Sequence, residues 1–219
     1  MDADITNVLR IDRRYNGPPD SGNGGVTCGL LAIHVDAPVV QVTLRTPPPL
    51  ETDLLLRGTS LYDGDTLVAE AAPGTVTVVA PPSVGVDRAA ASVFAGHTGH
   101  PFPTCFVCGP EHPDGLHLFA GPVGDDLVAT TWTPTDASDV MVWAALDCPG
   151  GWSADLPGRP MVLGRMTCRI DDSPVAGQTY VVQGWLRGGE GRKVLTGSAL
   201  YDADGTVLAV AEATWITLP

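Results

Sequence analysis

Val142-Trp143-Ala144-Ala145-Leu146-Asp147-Cys148-Pro149-Gly150-Gly151 is an apolar run with a single carboxylate, Asp147, set in its middle. An ionised carboxylate on an apolar surface costs several kcal/mol unless it is paired, hydrogen-bonded or protonated. A chain that keeps one there either satisfies it locally or uses it. In one reading the run is the C-terminal turn of a helix, and Asp147 is solvated just before Pro149. In the other the carboxylate works chemically, because perturbed carboxylates mark functional sites. The rest of the chain has to decide.

Length and composition allow a real core. The chain has 219 residues, 44% hydrophobic and 17% charged, which fits one large or two small domains and no disordered polymer. Twenty-six glycines and twenty prolines imply many turns between short strands, hence a sheet-rich protein. No apolar run approaches the roughly 18 residues of a membrane span, and Met1-Asp2-Ala3-Asp4 lacks the basic-then-apolar layout of a signal peptide. Five cysteines without framework spacing fit a reducing compartment, so a cytoplasmic location is expected. The formal net charge is −13, and Lys193 is the single lysine. Such a surface repels phosphate backbones and argues against nucleic acid as a partner. Any anionic ligand would need a local cluster of arginines.

Outward from the central run, the first half opens with a loosely alternating strand, Ile5–Arg14. A loop of turn formers follows, Tyr15 to Gly25, and then an apolar helix, Val26–Val35. A glycine-rich loop entering a helix leaves backbone N–H groups free for a ligand, with the helix dipole behind them. The Gly-Lys-Ser/Thr ending of a Walker loop is missing, so that type of phosphate binding is excluded. The plainer alternative is that these glycines only make a tight turn. Strand-like segments then run over Val39–Thr46, Asp53–Tyr62, Thr66–Ala71 and Thr75–Ala80, followed by a connecting segment from Pro81 to Thr104 with helical character around Asp87–Phe94. In the second half a hairpin (Leu116–Phe119, Leu127–Thr133) precedes the stretch from Ser138 to Leu156 that holds Asp147. Strands over Val162–Ile170, Tyr180–Arg187, Lys193–Tyr201 and Thr206–Thr217 close the chain.

The halves therefore read as copies: strand, helix, then four strands. Thr43-Leu44-Arg45 aligns with Thr167-Cys168-Arg169, and Gly74-Thr75-Val76 with Gly205-Thr206-Val207. A rival match, Leu61-Tyr62-Asp63 with Leu200-Tyr201-Asp202, would leave the first half one strand short. The first alignment is therefore preferred.

Two stretches carry a family likeness. Cys105-Phe106-x-Cys108-Gly109-x-x-x-Pro113-x-Gly115-Leu116 resembles the segment leading into the phenylacetate-pathway type of hotdog thioesterase. Trp143-Ala144-Ala145-Leu146-Asp147 resembles that family's central helix, in which an acid follows an Ala-Leu-type run. The resemblance implies an α+β double hotdog, two tandem copies of a long helix wrapped by a curved antiparallel sheet. Residues 1–100 would be the first copy with its connecting segment, and residues 101–219 the second. It covers the second half well and the first mainly by layout. It also implies an acyl-CoA thioesterase acting on a small-molecule acyl thioester, with coenzyme A entering as part of the substrate and no further cofactor. Association of two double hotdogs into a homodimer would be in keeping with the fold.

In those thioesterases the helix begins His-Gly-Gly, and the acid lies nine positions after the histidine, on the facing copy of a composite site. Here the pattern splits. The first half has Asn23-Gly24-Gly25 at the helix start but alanine at position 32, whereas the second has Asp147 but Ser138 nine residues earlier. The resemblance thus implies one complete site, with the Gly24 N–H polarising the thioester carbonyl and Asp147 as general base or nucleophile. Asn23 would orient substrate or water, or serve as a plain helix N-cap. Gly25 and Trp143 are assigned to substrate binding. The turn Glu190-Gly191-Arg192-Lys193 is a candidate for the coenzyme A phosphates, with Gly191, Arg192 and Lys193 in contact, and Asp63-Gly64-Asp65 is its acidic counterpart in the first half. Ordinary hairpin-turn charge is the alternative reading.

His97, His100, Cys105, Cys108, His112 and His117 lie close in sequence, and Cys-x-x-Cys is zinc-like spacing. A second Cys-x-x-Cys is missing and the similar family segment needs no metal, so no metal is assigned and the cysteines are read as small apolar residues. Cys148 has no histidine near it in sequence and is read as helix packing. The competing functional reading is a hotdog domain that binds an acyl chain or a partner without turning it over.

Overall fold

The computed structural model describes residues 7–124 and 126–219. Residues 1–6, which include the start of the expected Ile5–Arg14 strand, lie outside that range. Alternating segments of the first half form β1 (Asn7–Arg10), β2 (Val39–Leu44), β3 (Asp53–Arg57), β4 (Ser60–Asp63) and β5 (Thr66–Pro73). Those of the second form β6 (Gly121–Gly124), β7 (Leu127–Trp132), β8 (Met161–Ile170), β9 (Tyr180–Glu190), β10 (Lys193–Tyr201) and β11 (Val207–Thr217). All eleven join in one antiparallel sheet of order β1-β3-β4-β5-β2-β8-β11-β10-β9-β7-β6. From the β2–β8 seam outward, the order β5-β4-β3-β1 on one flank mirrors β11-β10-β9-β7 on the other.

Two helices, α1 (Gly24–Ala32) and α3 (Asp139–Trp152), pack on one face, and the short α2 (Val86–Ala90) lies in the connection between the halves. Nearly every residue of α1 and α3 is buried, as expected of helices apolar on all sides. Gly25 and Gly29, one turn apart on α1, let the two backbones close up. A Cβ on Gly25 would sit 2.9 Å from Ala144 Cα, and one on Gly29 2.8 Å from Val140 Cα. Those contacts run in opposite directions along the two helices, so the N-terminus of α1 meets the later turns of α3. Strand alternation sends Val182, Leu200 and Ala209 to the helix face, while Val181, Ala199 and Val210 form a smaller cluster on the other.

Several sequence expectations need correction. Asp53–Tyr62 is two strands, because Gly58, with φ of 61°, turns the chain. Strand Ile5–Arg14 stops at Arg10, and Arg13–Tyr15 is a 3-10 turn capped by Asp12. Thr75–Ala80 is extended but is no strand, since β5 already has β4 and β2 on its two edges. It leaves the sheet and lays Val76, Val78 and Ala80 over the second cluster. Leu116–Phe119 pairs with no strand; Leu116 and Leu118 N–H groups donate back to Phe106 and Val107 carbonyls instead. The hairpin partner of β7 is β6. The helix around Asp147 does not end before Pro149 but runs through it to Trp152.

The rejected sequence match is the one in structural register. Leu61 pairs with Ala69 and Tyr62 with Leu67 across a bulge, and Leu200 pairs with Ala209 and Tyr201 with Val207 across another. With Thr75–Ala80 outside the sheet, the preference for Gly74-Thr75-Val76 against Gly205-Thr206-Val207 loses its basis.

Candidate active site

The loop before α1 is tied at both ends: Gly17 N–H donates to Ser21 O, Gly22 N–H to Pro48 O and Asn23 N–H to Tyr15 O. This fixes Asn23 as the N-cap, its Oδ1 accepting from Val26 N–H at 2.9 Å. Its amide nitrogen is then free to point outward and donates to Asp147 Oδ2 at 3.1 Å. Gly25 N–H donates to the same oxygen at 2.9 Å. The acid of α3 therefore sits on the positive end of α1, where a helix terminus stabilises negative charge.

Asp147 is only 2% exposed, which removes the solvated reading. Its other oxygen, Oδ1, is buried and has no hydrogen-bond partner. Burial pushes the carboxyl up to about 7. The Gly25 N–H pulls it down, Cys105 pushes it up, and the Asn23 amide pulls it down again, each less strongly than burial acts. Desolvation wins because one unpaired oxygen in an apolar wall outweighs two hydrogen bonds on the other.

A cavity of about 560 Å³ opens beside this pair and is lined by Asn23, Gly24, Asp147, Cys105, Cys108 and Cys148. Phe102, Leu156, Met161, Leu163, Trp215 and Ile216 make apolar wall, and Arg45 and Arg192 also border it. Ligand sites are commonly of this size and character. No acceptor for the Gly24 N–H occurs among the described residues.

Asn23, Gly24, Asp147 and Arg192 thus share one cavity. Gly25 lies behind them between the helices, with its N–H on Asp147. Trp143 is buried one turn before Asp147, packed against Gly29, and is not part of the cavity wall. Gly191 and Lys193 are exposed on the β9–β10 turn outside the wall; Gly191 O accepts from Arg159 Nη2 at 2.7 Å. Arg192 Nε donates to Thr217 O at 3.0 Å, which holds the side chain against β11. The first-half equivalent of this turn is Gly58-Thr59, between β3 and β4, and not Asp63-Gly64-Asp65, which lies between β4 and β5. Since Arg57 flanks that turn, the expected charge contrast between the two halves is absent there.

Cys148 was the residue the sequence undervalued. Its sulfur is 3.8 Å from that of Cys105, and Cys108 completes a buried group of three thiols. Nothing in the spacing of residues 105 and 148 could reveal this. Of the nearby histidines, His112 and His117 are engaged elsewhere, whereas His100 Nε2 is buried without a hydrogen-bond partner. His112 Nε2 donates to Arg14 O, His117 Nε2 to His112 O, and His100 Nδ1 accepts from Phe102 N–H.

No protein-family model matches this chain, and no curated protein sequence matches it. Solved structures do match over its whole length. A provisionally assigned thioesterase II from Thermobifida fusca is 13% identical with a TM-score of 0.62, covering 100% of this chain and 95% of that one. A hot dog fold protein of unknown function from Alicyclobacillus acidocaldarius is 11% identical with a TM-score of 0.61, covering 99% and 95%. A tesB protein from Mycobacterium avium subspecies paratuberculosis is 10% identical with a TM-score of 0.58, covering 97% and 96%. What is shared at such identities is the fold: the chain has the hotdog fold. No helix among the described residues is long and apolar enough to cross a membrane.

Proposed function

We propose that this chain is an acyl-CoA thioesterase built as a double hotdog, with one composite site between a first copy (residues 1–100) and a second (residues 101–219). The observation that carries the reading is that Asp147, whose Oδ1 is buried without a hydrogen-bond partner, lines the same cavity as Gly24, whose N–H has no acceptor among the described residues. The mirrored strand order and the matching bulges support the two-copy description.

A thioester needs a polarised carbonyl and an activated nucleophile. The Gly24 N–H, on the positive end of α1, stabilises the oxyanion; such a donor is typically worth about 3–4 kcal/mol. Asp147 Oδ1 either deprotonates a water or attacks the carbonyl carbon, and the coenzyme A thiolate leaves in both routes. Gly25 N–H and the Asn23 amide hold Oδ2, which leaves Oδ1 as the carboxylate oxygen not committed to a partner. The apolar wall takes the acyl chain. No cofactor beyond the coenzyme A of the substrate is required.

The test is release of free coenzyme A from a panel of acyl-CoA esters. Turnover supports the enzyme; tight binding of every ester with no turnover would leave only an acyl-chain binding domain. Because only ionised Asp147 can act in either route, kcat/KM is expected to rise with pH and level off above about 7. A flat profile from pH 5 to 9 would remove the carboxylate from the chemistry. Arg192→Ala is expected to raise KM for coenzyme A esters several-fold with kcat nearly unchanged, as loss of uniform binding does. An unchanged KM would remove Arg192 from the substrate path.

A further inference from the structure

The fold supplies what the Cys105-x-x-Cys108 spacing lacked, a third sulfur. The three Sγ atoms of Cys105, Cys108 and Cys148 lie within 4.8 Å of one another, all buried and all in the cavity wall. We propose that these three cysteines bind a thiophilic divalent cation, zinc, which clamps the Cys105–Gly109 turn to α3 one residue from Asp147.

The spacing fits. Two thiolates each ~2.3 Å from a zinc at a tetrahedral angle stand about 3.8 Å apart, and Cys105 and Cys148 Sγ are 3.8 Å apart with no bond between them. The surroundings fit thiolates better than thiols. The backbone N–H groups of Cys108 and Val107 are turned toward Cys105 Sγ, and the Asn23 amide donates to it at 3.7 Å. The indole N–H of Trp152 is buried with no acceptor of hydrogen-bond quality and faces Cys108 Sγ. Donors aimed at sulfur are what stabilise the charge of a metal thiolate. Gly109 permits the turn, since a Cβ there would strike the backbone of Pro103 and Cys105. All three cysteines line the cavity, and the net charge of −13 favours a cation over an anion.

The site shares a cavity wall with Asp147, but the proposal does not require the thioesterase reading, and its test reads the metal and not the activity. Co²⁺ added to reduced, chelator-treated full-length protein is expected to give the intense near-ultraviolet thiolate-to-metal charge-transfer band, saturating at one ion per chain, and Zn²⁺ is expected to bleach it. Cys108→Ser and Cys148→Ser should lose the band; Cys28→Ser and Cys168→Ser, at buried thiols outside the group, should keep it. A second readout needs no variant: Zn²⁺ should protect Cys105, Cys108 and Cys148 of the wild type from a small alkylating reagent that labels them after chelation. Absence of the band together with Zn²⁺-independent labelling would overturn the proposal, as would a Cys105–Cys148 disulfide in air-exposed protein that retains no zinc.

Discussion

Asp147→Asn is expected to lower kcat/KM for acyl-CoA hydrolysis by ~10²–10⁴-fold, the usual contribution of a general base, while making the protein more stable above neutral pH. Asparagine keeps an oxygen for the Gly25 N–H and the Asn23 amide and puts an amide where Oδ1 stands. The folded-state carboxyl of the wild type is raised from 3.8 to about 7, so the folded protein holds a proton that the unfolded chain has already released. Wild-type stability is therefore full below about pH 4, falls as pH rises toward 7, and stays reduced above it. The variant has no such loss. A raised pKa of this size corresponds to at most about 4 kcal/mol, so urea unfolding at pH 8 should favour the variant and the gap should close near pH 4. A variant less stable than wild type at pH 8 would mean that the ionised carboxylate is fully compensated in the fold. A stable enzyme sacrificed for an unpaired charge is the usual form of a stability–activity trade-off.

Gly25→Ala is expected to be severely destabilising, although alanine is normally the better helix former by about 1 kcal/mol. The added methyl would lie 2.6 Å from Asp147 Cβ and 2.7 Å from Trp143 O. Neither can rotate away, because one is the first atom of its side chain and the other is helix backbone. Overpacking of this kind costs roughly 1–3 kcal/mol or more, which outweighs the propensity gain, and a loss of about 3 kcal/mol in a chain of this size lowers Tm by roughly 6–12 °C. Separation of the helices would also pull the Gly25 N–H from Asp147 Oδ2, so residual activity should fall beyond the loss of folded protein. A variant as stable as wild type would mean that α1 and α3 are not held at the distance described.

The last five strands, β7 to β11, could be read to within about three residues because their extended runs are long, and Lys193–Tyr201 coincides with β10; the short β6 was missed in favour of Leu116–Phe119. Thr75–Ala80 alternates just as well, yet periodicity reports only an extended chain with one covered side. Whether that chain pairs depends on free sheet edges elsewhere, which no local window contains. The same error displaced the repeat alignment, and with it the turn compared against Gly191-Arg192. Asp147 could be found because a lone charge in an apolar run is conspicuous. Its partner donor was legible only to within a residue: the Asn23-Gly24-Gly25 start of α1 marked the N–H groups, but their division between Asp147 and the cavity follows from how two distant helices cross. Trp143 shares a helix with Asp147, but its place in the turn aims it at Gly29. Cys148 joined Cys105 for the same non-local reason that brought Asp147 to Asn23.

Convergence of the Gly24 N–H and Asp147 on one thioester is tested most directly by a crystal structure with a ketone analogue of an acyl-CoA, in which a methylene between carbonyl and sulfur blocks hydrolysis. The analogue's carbonyl oxygen should accept from the Gly24 N–H, and its carbon should lie ~3–3.5 Å from Asp147 Oδ1, or from a water bound to it. An acyl chain seated among Phe102, Leu163 and Trp215 with its carbonyl turned away from both groups would contradict the account.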